Sequence, residues 1–172
     1  MVNHQSLSFP QAIQATQTLI ERIDTKEIDE TDIEQEVGNI VNTKNGGRGF
    51  FVAYLTSDLS LADEPSPGII NGLKSSDEVV SELLVKNLAM SSAMAIAHGR
   101  NQDLDNVAGS QKVARRTSNL IQKLRLDSVV AELNKLQTSI TDGQGEYQDF
   151  LERWEYDDEQ QQAIQQAIAQ VL

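Results

Sequence analysis

Few residues in this chain could do chemistry. The first group is Asn45-Gly46-Gly47-Arg48-Gly49, the most pronounced break in the sequence. Free backbone N–H groups of a glycine-rich turn can cradle a phosphate, with Arg48 beside it. No Gly-Lys-Ser/Thr follows, so this is not a Walker loop. The strand and helix that flank a dinucleotide fingerprint are also missing at the required spacing. A turn between a helix and Phe50-Phe51 is the simpler account, since glycine is the default turn residue.

A second group is Arg48, Arg100, Arg115 and Arg116, with Lys112 and Lys123. If the helix ending near Arg100 packs antiparallel to the next, these bases could receive an anionic ligand or an acidic partner. They could equally pair with the acidic flanks of the same chain, and that use is preferred. Asn101, Asp103 and Asp105 resemble the opening of a calcium loop. An EF-hand then needs glycine at position six and a carboxylate at position twelve. Counting from Asn101, those positions hold Asn106 and Lys112; counting from Asp103, they hold Ala108 and Ala114. The segment reads as a connector.

The two histidines, His4 and His98, would need carboxylates for most of a metal's ligands. Ser91 lies seven residues before His98. A helical rise of about 1.5 Å per residue separates them by roughly 10 Å, beyond the reach of a nucleophile–base pair. His98 reads instead as a helix-end residue. Arg115-Arg116-Thr117-Ser118 has the form of a basic-directed phosphorylation site, but Thr117 falls on the apolar side. The run Glu155, Asp157, Asp158, Glu159 could attract a basic partner, and a helix N-terminus also explains it. Cysteine is absent, which removes disulfides, thiolate metal sites and a cysteine nucleophile. No catalytic, cofactor-binding or metal-ligating residue is assigned, and no cofactor is expected. Arg48, Arg100, Arg115 and Arg116 are the candidate anion or partner contacts.

The elements that would position these residues are mostly helical. Ser76–Arg100 is the organising stretch. It opens with Ser76, Asp77 and Glu78, which suit a helix N-terminus. From Leu88 to Ala97 it holds only Leu, Ala, Met, Ser and Ile. A helix with no charged face is normally enclosed by others. The uncharged run is shorter than the about 20 apolar residues that span a bilayer, so no membrane span is expected. Gly99 is the expected terminator. Helices are also expected over 8–24, capped by Ser8 with Pro10 in the first turn, and over 31–43, with Thr31 and Glu34 as a capping box. Phe50 to Thr56 suits a strand by composition and a helical face by spacing; the strand reading is narrowly preferred. Further helices are expected over 110–126 and 127–140, then the stripe Tyr147, Phe150, Leu151, Trp154, and a last helix opened by Asp157 and Gln160. The expected fold is mainly α. It is a single-domain multi-helix bundle over 1–172, around a buried central helix at about 76–99, with room for one short strand or small β element near 49–56.

The net charge of −12 is unevenly placed: −6 over the N-terminal helices 1–43, +2 over the core 44–125, and −8 over the C-terminal helices 126–172. Such acidity disfavours duplex nucleic acid, whose affinity rests on phosphate neutralisation. The first residues lack the basic and apolar regions of a secretion signal, and a chain without cysteine suits a reducing compartment. The expectation is a cytoplasmic protein that binds a protein partner or itself, without catalysis. The alternative is a small anionic ligand, or an enzyme, at an arginine cluster beside Gly46–Gly49. A third reading has the acidic flanks mimic nucleic acid for a basic partner.

Overall fold

The structure, a computed structural model, describes residues 6–172. His4 lies outside them. The helices are α1 (Phe9–Asp24), α2 (Glu30–Val41), α3 (Lys44–Thr56), α4 (Pro67–Lys74), α5 (Asp77–Arg100), α6 (Leu104–Leu124), α7 (Asp127–Asp142), α8 (Gln148–Arg153) and α9 (Asp158–Val171), with one 3-10 turn at Ser60–Ala62. Of the described residues 80% are helical and none is in a strand, so the fold is mainly α. A first compact unit covers Met1–Leu83 and a second Leu84–Leu172; the boundary falls inside α5.

In the first unit α1 packs on α3 and α2 on α4. Ser8 caps α1 in a capping box with Gln11. The cap of α2 is Asp29, not the expected Thr31: its carboxylate accepts from Asp32 N at 2.8 Å. Ile33, Val37, Ile40 and Val41 form the buried stripe.

The strand expected near 49–56 is a helix, and the glycine run is not a loop but its first half. Thr43 caps α3, its hydroxyl accepting from Gly46 N at 3.1 Å. The glycines are there for close approach. A Cβ on Gly49 would lie 2.5 Å from Ala12 Cβ, and one on Gly47 2.7 Å from Leu83 Cδ1; on α4, one on Gly72 would lie 2.6 Å from Val37 Cβ. Each glycine costs a helix about 1 kcal/mol of propensity, which the buried packing it permits offsets. Phe50, Phe51, Tyr54 and Leu55 then fall on the buried side, with Phe50 and Tyr54 stacked at 5.2 Å between ring centroids. Aromatic content suggested a strand, but tertiary packing overrides so weak a preference.

In the second unit α9 packs against α6 and α7, and α7 against α8. Leu120, Leu124, Leu133, Leu136, Ile164 and Ile168 are buried. Gln160 Nε2 donates to Ala93 O at 3.2 Å, fixing α9 to α5. Gly99 does not end α5. Gln102 does, in the left-handed conformation (φ 56°), with Gln102 N donating to Gly99 O and Asp103 N to His98 O. These are the two bonds of a Schellman motif. Asp103 then caps α6, so most of the expected connector 101–109 is helix.

The central helix buries Val80, Leu84, Val85, Leu88, Ala89 and Ala93, but no residue beyond Ala93. Met94 is 37% exposed and Ala95 to His98 are half-buried. With its flanks, α5 is long and apolar enough to cross a membrane by length and composition, although the uncharged run alone is not. Half of that apolar window is buried inside the protein.

Candidate functional site

Arg48 stands exposed on α3 in the first unit, its guanidinium carbon 5.1 Å from the Phe9 ring centroid. Arg100, Arg115 and Arg116 belong to the second unit. The phosphate cradle that Gly46–Gly49 could have offered is not formed, and neither is the turn that was the preferred reading. Gly46 N donates to the Thr43 hydroxyl and Gly47 N to Thr43 O at 2.8 Å, so these donors are spent inside a helix.

Arg100 is occupied by the chain's own acids. Its Nη1 donates to Asp157 Oδ2 at 2.6 Å, and its Nη2 to Asp157 Oδ1 at 3.1 Å and Glu159 Oε2 at 2.7 Å. These hydrogen bonds, first from Asp157 and then Glu159, raise the guanidinium's affinity for its proton. In return Arg100, then the Gln160 N–H, hold the Asp157 carboxyl below its ordinary value. Asp157 also caps α9 in a capping box with Gln160. Arg116 is only 3% exposed, and neither it nor Arg115 is free.

The other polar candidates serve the backbone. Ser91 donates to Asn87 O at 2.7 Å, and the buried Thr117 to Val113 O at 2.7 Å. Asp103 is held below its ordinary value by the side-chain hydrogen bond from Asn106, then by the Asn106 N–H. No three His, Asp or Glu side chains converge to hold a metal among the described residues.

Among the described residues, two cavities of the second unit stand out. One, of about 340 Å³, is framed by the end of α7, by α8 and by the start of α9. Glu152, Glu155 and Tyr156 line it, along with Gln148, whose Oε1 is buried without a hydrogen-bond partner. Burial pushes the Tyr156 phenol up to about 12. Glu155 is left-handed (φ 52°) and follows Trp154, a 46% exposed ring with the Arg153 guanidinium carbon 5.9 Å from its centroid.

The other cavity, of about 470 Å³, lies where α6 turns into α7 beside the end of α9. Ile121, Leu126, Val130 and Leu133 supply apolar wall, and Arg125 and Asp127 the charges. Arg125 forms no ion pair among the described residues, unlike Arg100. Sequence reasoning missed it by placing it inside a helix over 110–126. Its left-handed conformation (φ 50°) ends α6 without a glycine, so no residue type announced the turn.

A third feature is the turn between α5 and α6. Leu104, the first residue of α6, is 75% exposed, close in sequence to the uncovered end of α5. Comparison with curated proteins and with solved structures returned no match. A family described as uncharacterised conserved protein UCP020893 matches residues 8–171, nearly the whole chain, and the protein belongs to that family.

Proposed function

We propose that the protein is a non-catalytic, cytoplasmic interaction module, and that a second copy of itself is a partner. The observation that carries this reading is the uncovered apolar end of α5 with Leu104 beyond it. Met94 and Leu104 are exposed, and Ile96 and Val107 are only half-buried. Contiguous exposed apolar surface marks a place where another molecule packs. Ala95 and Gly99, one turn apart on the same face, are small enough to let a second helix approach closely.

Charge supports the same surface. A chain of net −12 repels its own copies. Between Leu88 and Ala97 there is no charge, and residues 44–125 as a whole carry +2. Two acidic copies can therefore meet along this uncharged run with least repulsion, while Asp103 and Asp105 flank Leu104. A C2 pair would bring the same helix end together with itself. The cytoplasmic setting rests on the absence of cysteine, which suits a reducing compartment.

Light scattering after size exclusion, over a wide concentration range, tests the reading. The expected result is a concentration-dependent dimer that Met94→Glu or Leu104→Glu converts to monomer. A strict monomer at every concentration removes self-association, and a dimer that survives both substitutions removes this surface.

A further inference from the structure

The groove beside the α6–α7 turn suits a different kind of ligand. Its walls are aliphatic, and its volume of about 470 Å³ falls within the range of about 300–1,000 Å³ typical of small-molecule sites. The chain is strongly acidic, and Arg100 is fully engaged by carboxylates. Arg125 nonetheless keeps its guanidinium out of any ion pair among the described residues. Its backbone is fixed: φ is 50°, and its N–H donates to Ile121 O at 3.3 Å. Leu126 follows in an extended conformation and leads straight into α7. The turn thus plants one cation on the lining of an apolar groove.

We propose that this groove binds a small amphipathic monoanion, an aliphatic or aromatic body ending in a carboxylate. The body would lie against Ile121, Leu126, Val130 and Leu133. The carboxylate would take two parallel hydrogen bonds from the Arg125 guanidinium, the geometry that planar fork favours. A single guanidinium matches a single negative charge, and the net charge of −12 disfavours a phosphate that carries two. The other charged side chain in the lining is Asp127, at the first position of α7, where the positive end of the helix dipole favours it. It forms no ion pair with Arg125. Gln122 spends its amide on Gln170 O at 3.4 Å.

Isothermal titration calorimetry of the full chain with octanoate, and with octanol as the neutral counterpart, tests this. The expected result is saturable octanoate binding with a much weaker response to octanol. Arg125→Gln should weaken octanoate by roughly tenfold or more, the scale of a lost charge-assisted bond. Asp127→Asn should tighten it by removing a like charge. Should Arg125→Gln fail to fold by circular dichroism, Val130→Glu serves instead. Val130 is 46% exposed, so a carboxylate is tolerated there while repelling the ligand. No saturable octanoate binding, equal binding of octanol, or binding indifferent to both Arg125→Gln and Val130→Glu would overturn the proposal. Weaker binding in Asp127→Asn would also overturn it, since the ligand would then carry a positive group.

Discussion

An added methyl group at Gly49 would come within 2.5 Å of Ala12 Cβ and 2.8 Å of the Phe9 carbonyl oxygen. Neither neighbour is the end of a flexible side chain, so α1 and α3 would have to separate. Overpacking of this kind costs about 1–3 kcal/mol, more than the about 1 kcal/mol of helix propensity that alanine returns. Gly49→Ala should therefore lower the thermal midpoint. Gly109, on α6, has nothing within 4 Å of the same added atom. Gly109→Ala should raise the midpoint, by about 0.5–1 kcal/mol in stability. Melts followed by circular dichroism read both, and an equal response at the two positions would contradict the packing account. The pair also explains why residues 45–49 read as a turn. Glycine serves equally as a turn former and as a packing surface. The difference lies in Ala12 and Phe9, far away in sequence, and no local pattern reveals them.

Helices were legible as apolar stripes, and the starts of two of them as caps. Ser8 and Asp157 cap α1 and α9 as their residue types suggest. The ends of α1, α5 and α6 were not legible, because they fall on Lys26, Gln102 and Arg125 in the left-handed conformation instead of on glycine, as α7 does on Gly143. A side chain there costs about 1–2 kcal/mol relative to a residue without Cβ. Gln102→Gly and Lys26→Gly should each stabilise by about 1 kcal/mol, seen as a higher urea midpoint with an unchanged slope. A lower midpoint would mean that the side chain makes contacts outweighing the backbone strain. The candidate site suffers from the same blindness. Arg48, Arg100, Arg115 and Arg116 stood out as charges among apolar stripes. Arg125 did not, because its role depends on a turn that its residue type does not announce.

At the scale of the whole molecule, charge and pH are linked through Arg100. Asp157 is held below its ordinary value of 3.8, so its contribution is complete above about pH 4. It fades as pH falls through the lowered folded value. Arg100→Gln should therefore reduce the thermal midpoint at pH 7, and the gap from wild type should close as pH drops below 4. The pair is exposed, so added salt should narrow the gap too. Tyr156 works at the opposite limit. Its phenol ionises at about 12 in the folded protein instead of 10, so its contribution is complete below pH 10 and is lost as pH rises through 12. The tyrosinate absorbance of Tyr156 should consequently appear about two units late; ionisation at 10 would show that the ring is solvated. The sequence holds one tryptophan, Trp154, and it lies in the second unit. Phe50, Phe51 and Tyr54 lie in the first. Indole fluorescence is therefore a reporter for one half of the chain and silent for the other. An emission shift that parts company with the far-ultraviolet dichroism on heating would reveal two cooperative blocks where a single optical trace suggests one.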